Sequence, residues 1–253
     1  LFWFIISAVP WITGALAGDV ARSVLWAVAI ALDFAGLALG WPTPKLGLQP
    51  AAEMPVEPEH LAERYRLFFT IALGELIVVT GTALSGTGFA PAHTAGFVAS
   101  FATTVLLWRI YIYRAGELLP AAIEAAPDPD RLARSALIAH LLMLAGVVAI
   151  AVGFELDITH AHEHTKPAWL AVMFGGPVLF LAGRAIFEYA VFARVSRDRL
   201  IGVLVLAAVA PTMLFVPPLK AAVVAALVLA GVALADAARA RGRPPEPPTP
   251  PRE

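Results

Sequence analysis

Long apolar blocks alternate along this chain with short connectors that are polar or rich in proline. A helix needs about 20 largely apolar residues to cross the hydrocarbon core of a bilayer. Eight blocks are close to this length, and we predict membrane-spanning helices over 1–17, 22–40, 66–84, 94–113, 133–154, 168–192, 200–216 and 219–236. The pattern therefore predicts an all-α fold, a polytopic transmembrane helix bundle with about eight spans.

The connectors and the C-terminal segment have a different composition from the spans. WPTPKLGLQPAAEMPVEPEH, residues 41–60, and EAAPDPDRLAR, residues 124–134, are polar or proline-rich. The segment 237–253 combines charge with many prolines and almost no large apolar side chains. Such a segment cannot bury enough apolar surface to offset the entropy of ordering it. We therefore predict a transmembrane domain over 1–236 and a disordered tail over 237–253.

Lysine and arginine residues are distributed unevenly among the connectors. The connectors 41–66, 114–134 and 193–199 contain three each and the tail contains four, whereas the connectors between them contain one or none. Cytoplasmic connectors of membrane proteins are enriched in these two residues. We therefore expect the basic connectors and the C-terminal tail to lie in the cytoplasm.

Composition supports the membrane assignment and excludes several other classes. Hydrophobic residues make up 59% of the chain and charged residues 15%, with a mean hydropathy of +0.77. A soluble domain has about 45–50% apolar and about 25% charged residues. Without cysteine the chain has neither disulfides nor thiolate metal ligands. The expected partner is the lipid bilayer, and no basic and aromatic surface for nucleic acid is found.

The sequence also lacks the motifs of common enzymes. We find no glycine-rich phosphate loop, no G-x-S-x-G and no H-E-x-x-H. We therefore expect no cofactor and no enzymatic activity. Residue 1 is Leu and lies inside an apolar run, from which we expect that the natural N-terminal part is missing.

When the charged residues of the connectors and of the membrane interfaces are set aside, five titratable side chains remain inside the predicted spans. Charged groups at this depth cost roughly 2.5–3.5 kcal/mol each, so they usually face a protein interior or a water-filled path. Glu75 lies at the middle of the third span without a basic residue nearby on the same helix, which indicates either a working carboxylate or a structural hydrogen bond. The other four are Asp33, His140, Arg184 and Glu188.

Each of those four residues also has a purely structural interpretation. Arg184 and Glu188 are four residues apart and can form an ion pair on one helix. His140 is either a neutral imidazole hydrogen-bonded between helices or a group that changes charge near neutral pH. Asp33 is either a packing residue bound by an N–H group or one member of a carboxylate pair. The pattern leaves both roles open for each residue.

Histidines cluster in the connector THAHEHTKP. His160, His162 and His164 are candidate metal ligands, because imidazole suits zinc, copper and nickel. Zinc sites usually take their ligands from separate elements, however, and this connector is short. The spacing favours a solvated polar loop over a metal site.

The segment HLAERYRLFFTIALGELIVVTG, residues 60–81, resembles the signature of the bacterial low-temperature-requirement A membrane proteins. Leu76 stands where that family usually has Ser. The matching residues include His60, Glu63, Arg64, Gly74 and Glu75.

Two further segments, 126–156 and 175–200, are similar to later parts of the same family, with Arg184 where a His is expected. The acidic and aromatic N-terminal helix of the family is not found, in agreement with a truncated N-terminus. The resemblance implies a multi-pass protein of the bacterial cytoplasmic (inner) membrane. It implies no defined reaction.

The polar residues within the spans favour a transporter or a protein that translocates protons or small ions, with Glu75 as the binding carboxylate. Glu63 is either an acidic group at a helix N-terminus or the mouth of a path to Glu75, although twelve residues place the two about 120° apart around a helix. The alternative function is a non-catalytic structural or lipid- and stress-responsive membrane protein. An enzyme acting on lipids ranks last, because His60 and Glu63 have no nucleophile beside them.

Overall fold

The computed structural model describes residues 2–44, 47, 57–112, 115–161, 163–241 and 246–251, and this part of the chain is almost entirely helical. The only non-helical pairing in these residues is an isolated bridge between Thr43 and Gly47. The all-α prediction is confirmed. The helices are α1 Phe2–Leu16, α2 Asp19–Ala38, α3 Pro58–Ser85, α4 Pro91–Ile112, α5 Ala115–Ala125, α6 Pro129–Thr159, α7 Pro167–Phe192, α8 Arg197–Val209, a 3-10 helix Ala210–Phe215, and α9 Pro218–Ala240.

Among the described residues, six helices are long and apolar enough to cross a membrane. They are α3, α4, α6, α7, α8 together with the 3-10 helix, and α9. Helix α1 is apolar but has only 15 residues, a length of about 22 Å against a hydrocarbon core of about 30 Å. The structure therefore supports a helical membrane bundle and does not confirm the predicted number of eight spans.

The chain divides into two compact units, Leu1–Val56 and Glu57–Glu253. In the first unit, α1 and α2 pack against each other through tryptophan side chains. The Trp3 indole N–H donates to the Pro42 carbonyl at 2.9 Å. A Cβ at Gly14 would lie 2.6 Å from the Trp26 ring, so the glycine makes room for that indole.

Helices α6 and α7 form the centre of the second unit. Glycines seven residues apart lie between them on each helix. They are Gly146 and Gly153 on α6 and Gly176 and Gly183 on α7. A Cβ at Gly146 would lie 2.6 Å from the Phe180 backbone nitrogen. Small residues allow transmembrane helices to approach backbone to backbone, and this contact sets the distance between the two central helices.

Most long helices of this unit begin with proline at the first position, where the missing N–H would have no intrahelical partner. The Asp128 side chain adds an N-cap to α6 by accepting the Arg131 N–H at 2.9 Å. Helix α5 was not predicted. It lies within the predicted connector 114–134, and its apolar side chains Leu119 and Ile123 are buried in the bundle.

Several helices extend beyond the predicted spans. Helix α3 begins at Pro58 rather than at 66, α6 ends at Thr159 rather than at 154, and α9 ends at Ala240 rather than at 236. Helix α9 thus continues into the segment predicted as a disordered tail. These helix extensions contain charged residues that belong to the candidate functional site.

Successive spans of the second unit run in opposite directions, so the unit has two ends. We call the end that contains Arg199 and Arg239 the arginine end; it includes the end of α7 and the start of α8. We call the end that contains His93 and His160 the histidine end; it includes the start of α4 and the end of α6. The distribution of basic residues predicts that the arginine end is cytoplasmic.

Residues 246–251 lie against the end of α7. The Thr249 backbone N–H donates to the Val191 carbonyl at 3.0 Å, and the Thr249 hydroxyl donates to the Phe192 carbonyl at 3.3 Å. Arg194 forms an ion pair with Glu246. The last carbonyls of a helix have no intrahelical partner, so the tail satisfies two of them.

Candidate functional site

Asp33, one of the predicted polar residues, lies in the first unit. The Trp11 indole N–H donates to Asp33 Oδ2 at 3.3 Å, which joins α2 to α1. This contact corresponds to the interpretation of Asp33 as an N–H-bonded packing residue. The other four predicted residues lie in the second unit.

Glu75 lies at the middle of α3 on an exposed side of that helix. Its neighbours one turn away, Ile71 and Val78, are 67% and 60% exposed. No atom lies within 4 Å of the position that a Cβ on Gly74 would take. The buried side of α3 contains Leu73 and Leu76 instead. Glu75 therefore does not face the interior in which His140 and Arg184 lie.

The remaining motif residues lie in the first turns of α3. His60 Nε2 is 3.3 Å from Glu57 Oε2, and both side chains are 67% exposed. Glu63 and Arg64 are also exposed. Acidic residues near a helix N-terminus complement the partial positive charge there, and this position corresponds to the structural interpretation of Glu63.

His140 is buried between α4, α6 and α7. Its Nδ1 lies 2.7 Å from the Ala136 carbonyl, which can only accept, so Nδ1 bears the hydrogen. In the neutral imidazole Nε2 then accepts from the Tyr111 hydroxyl at 3.1 Å. The ring stacks on Tyr65 at 4.1 Å and meets Phe187 edge-on at 4.9 Å. These contacts are those of a neutral, interhelical imidazole.

Removal of the Tyr111 hydroxyl tests this hydrogen bond. We expect Tyr111→Phe to destabilise the protein in detergent by about 1–3 kcal/mol, because it leaves His140 Nε2 buried without a donor. Thermal unfolding followed by circular dichroism measures the change. Tyr189→Phe is the matched control, since Tyr189 is 51% exposed. Equal effects of the two variants would contradict the assignment.

Arg184 is 1% exposed and reaches from α7 to the end of α4. Its Nε donates to the Ile110 carbonyl at 3.0 Å. Ile110 lies in the last turn of α4, where carbonyls lack intrahelical partners and a positive charge is favoured. Arg184 thus joins α7 to α4 beside the Tyr111 and His140 pair.

Glu188 belongs to a set of charged residues that joins α7, α8 and α9 at the arginine end. Its Oε2 lies 3.7 Å from Arg199 Nε and accepts the Ser196 backbone N–H at 3.3 Å. Whether Arg184 and Glu188 also form the predicted pair stays a prediction. We call the set the arginine network; it consists of Glu188, Asp198, Arg199, Asp236 and Arg239.

The centre of the arginine network is buried. Arg199 is 1% and Asp236 2% exposed, and Arg199 Nη1 lies 2.7 Å from Asp236 Oδ2. Arg239 Nη2 donates to the other oxygen of Asp236 at 2.8 Å and also pairs with Asp198. These residues were not predicted as part of a site, because Arg199 lies in a predicted connector and Asp236 at the limit of the last predicted span. The spacing of Asp236 and Arg239, three residues apart, is the signal that could have indicated them.

A second buried carboxyl group lies at the histidine end. Asp157 is 1% exposed, and neither of its oxygens has a hydrogen-bond donor among the described residues. A Cβ at Gly96 would lie 2.9 Å from Asp157 Oδ2. His93 Nδ1 contacts the Ile158 carbonyl, the next residue along α6. Asp157 was not among the predicted polar residues, because the predicted span ends at 154.

One side of α4 contains a series of small and polar residues. They are spaced by four, four and seven residues, which keeps them on the same side of a helix. From first to last they extend about 22 Å along the helix axis. We call this series the α4 line; it consists of Gly96, Ser100, Thr104 and Tyr111.

Polar groups from α3 and α6 meet the α4 line. The Ser100 hydroxyl donates to Thr80 Oγ1 at 3.2 Å, and both side chains are fully buried. Asp157 lies at one end of the line beside Gly96, and His140 lies at the other end beside Tyr111. Leu107, also fully buried, separates Thr104 from Tyr111.

Two of the three candidate metal-ligating histidines, His160 and His164, precede α7 in the described residues. The His160 ring is tilted against the Trp169 ring with 4.9 Å between the ring centres, and His164 is exposed. Lys166, whose Nζ lies 3.0 Å from Glu163 Oε2, holds the pKa of that carboxyl below its usual value. In the described ranges no three His, Cys, Asp or Glu side chains come together to hold a metal. His162 lies outside the described residues.

The apolar spans and the polar groups buried between them define a multi-pass helical membrane protein. Comparison with known proteins identifies its family. A family model described as "Bacterial low temperature requirement A protein (LtrA)" matches residues 1–234, and the chain belongs to that family. This result confirms the resemblance predicted from residues 60–81.

A protein of Rhizobium meliloti (strain 1021), "Uncharacterized protein RA0937", is 34% identical over 186 residues. The aligned region covers 72% of this chain and 44% of that relative, so the chain spans less than half of the relative's length. No solved structure matches.

Proposed function

We propose that this protein translocates protons or small ions across the bacterial inner membrane by way of an intramembrane carboxyl group, without enzymatic activity. The arginine end and the C-terminal tail face the cytoplasm in this proposal. The observation that supports it best is the α4 line, because it extends through the interior of the bundle from Asp157 to His140. Buried polar groups in membrane proteins usually mark ion paths or proton relays.

The position of the α4 line gives the proposal its geometry. Ser100 and Thr104 present hydroxyl groups between the two ends, and a hydroxyl both donates and accepts. Thr103, beside this line, borders a cavity of about 10 Å³ between α4, α6, α7 and α9, about the volume that one water molecule needs. Pro177 lines the same cavity and removes one N–H from the hydrogen-bond ladder of α7.

Proton flux into liposomes tests the proposal. We expect the reconstituted protein to dissipate a pH gradient faster than empty liposomes do. Thr104→Val keeps the shape of the side chain and removes the hydroxyl, so we expect it to slow the flux severalfold. Thr70→Val is the matched control, because Thr70 is an exposed hydroxyl on α3.

Two carboxyl groups of the second unit, Asp157 and Glu75, are compared in the same assay. Asp157→Asn is expected to abolish the flux, whereas Glu75→Gln is expected to leave it unchanged, because Glu75 lies on the exposed side of α3. Equal flux from wild-type protein and empty liposomes would contradict translocation. If Glu75→Gln abolished the flux and Asp157→Asn did not, Glu75 would be the translocating carboxylate, as the sequence favours.

The exposed position of Glu75 favours a second candidate, a non-catalytic structural or lipid-responsive membrane protein. A carboxyl group beside exposed apolar side chains such as Ile71 and Val78 faces lipid or another membrane helix. In that case Glu75→Gln would change the thermal stability in detergent or lipid without any change in flux.

A further inference from the structure

We propose that Asp157 is a proton-binding site, a carboxyl group that takes up one proton between α4 and α6 beside Gly96 and His93. This assignment deepens the proposed function and depends on it for its role in translocation. Its binding chemistry can be tested independently of any flux.

The first argument is that Asp157 is buried and that neither of its carboxyl oxygens has a hydrogen-bond donor among the described residues. A carboxylate that serves only as a structural partner accepts hydrogen bonds or pairs with a cation, as Asp236 does with Arg199 at 2.7 Å. Asp157 has no such donor among the described residues, and both oxygens are buried. An unpaired charge in an apolar interior is far more costly than a neutral group. The packed arrangement therefore fits the protonated acid.

Gly96 supplies the second argument, because it makes the space for this carboxyl group. Asp157 Oδ2 lies 2.9 Å from the position that a Cβ on Gly96 would take, so a side chain at this position would crowd the carboxyl group. The carboxyl group consequently lies against the α4 backbone, at the first position of the α4 line. Ser100, the next member, is one helical turn or about 6 Å farther along the axis.

The shortage of ligands around Asp157 indicates a proton rather than a metal ion. A cation such as Ca²⁺ takes six to eight oxygen ligands. In the described part of the chain no group of three His, Cys, Asp or Glu side chains could hold one. One carboxyl group is sufficient for one proton. The new O–H bond forms on a carboxylate oxygen, and the charge of the group changes from −1 to zero.

The titratable groups around this site are few. On α4, the titratable group beside this site is His93, whose Nδ1 contacts the Ile158 carbonyl. At the start of α7, Lys166 pairs with Glu163 at 3.0 Å. On α9, Lys220 is exposed, and α3 contains no titratable residue between Ile77 and Ser85. On α6 itself, Glu155 is exposed, and the half-buried His160, three residues after Asp157, contacts Trp169.

Infrared spectroscopy of the full chain in lipid nanodiscs tests the proton site. A protonated carboxyl group has a C=O stretching band that the carboxylate lacks, and this band lies at higher frequency without a hydrogen-bond partner. We expect such a band at neutral pH, where exposed carboxyl groups with pKa values of about 4 have ionised. Labelling of aspartate with carbon-13 is expected to shift the band.

The band is expected to be absent in Asp157→Asn and present in Glu155→Gln, the matched control two residues away on the same helix. Gly96→Ala retains the carboxyl group and is expected to shift the band, because the new methyl group displaces Oδ2. A band unchanged by Asp157→Asn, or no aspartate band at neutral pH, would overturn the assignment. The labelling measurement needs no variant, so the absence of an aspartate band would overturn the assignment even if Asp157→Asn does not fold.

The two proposals fail in different ways. An aspartate band that depends on Asp157, together with flux equal to that of empty liposomes, would leave the proton site and remove translocation. If flux persists in Asp157→Asn and this substitution removes no infrared band, the proton site would be excluded and translocation would remain.

Discussion

Arg199→Met is expected to destabilise the protein in detergent by about 3–5 kcal/mol, the usual cost of removing one partner from a buried ion pair. Arg199 is 1% exposed and lies between Glu188 and Asp236. Its removal leaves Asp236 with Arg239 and takes the Arg199 guanidinium away from Glu188. The midpoint of thermal unfolding and the denaturant midpoint both measure this loss.

Arg197→Met is the control, since Arg197 is an exposed arginine in the same turn of α8. We expect it to change the stability by less than about 0.5 kcal/mol, as surface substitutions usually do. Neutralising the partners as well, with Glu188→Gln and Asp236→Asn, is expected to recover much of the stability lost in Arg199→Met. If Arg197→Met and Arg199→Met had equal effects, the arginine network would not stabilise the bundle.

Gly146→Ala is expected to destabilise the protein by about 1–3 kcal/mol, because the added methyl group overpacks the contact between α6 and α7. The added Cβ would lie 2.6 Å from the Phe180 nitrogen and 2.7 Å from the Gly176 oxygen. Both atoms belong to the α7 backbone, so no side-chain rotation relieves the overlap, and α6 and α7 have to separate. Thermal unfolding in detergent measures the change.

Gly175→Ala provides a control of opposite sign. Gly175 is adjacent to Gly176 on α7, yet no atom lies within 4 Å of the position of its Cβ. Replacing a helical glycine by alanine without overlap stabilises a helix by about 0.5–1 kcal/mol. If both variants lowered the unfolding temperature equally, helix packing at Gly146 would not explain the loss.

Hydropathy was sufficient to predict the six long apolar helices of the described residues, but not the ends of all of them. The predicted span 168–192 differs from α7, Pro167–Phe192, by one residue. Helix α6 instead continues through Glu155 and Asp157, because tertiary packing there buries Asp157 against Gly96. A hydropathy window that ends a span at the first charged residues cannot detect that one of these residues is buried.

The orientation of Glu75 could not be predicted for a different reason. Apolar residues surround α3 on all sides, with Phe68 and Ile71 exposed and Phe69 and Leu73 buried. A helix that is apolar all round gives no signal for the side that packs. The sequence could therefore place Glu75 at the middle of a span, but not decide whether it faces the interior. For His140 the sequence left two roles open, one of them a hydrogen-bonded interhelical imidazole, and Tyr111 could not be identified as its partner without the packing of α4 on α6.

The arginine network also determines where this protein can be shortened. Similarity to the family ends at residue 234, two residues before Asp236. A chain cut at that limit would retain most of α9 and would lose both Asp236 and Arg239. Arg199 would remain buried with Glu188 as its only partner in the network. The folded domain therefore extends past the limit of family similarity, and any expressed version has to include at least the last turn of α9.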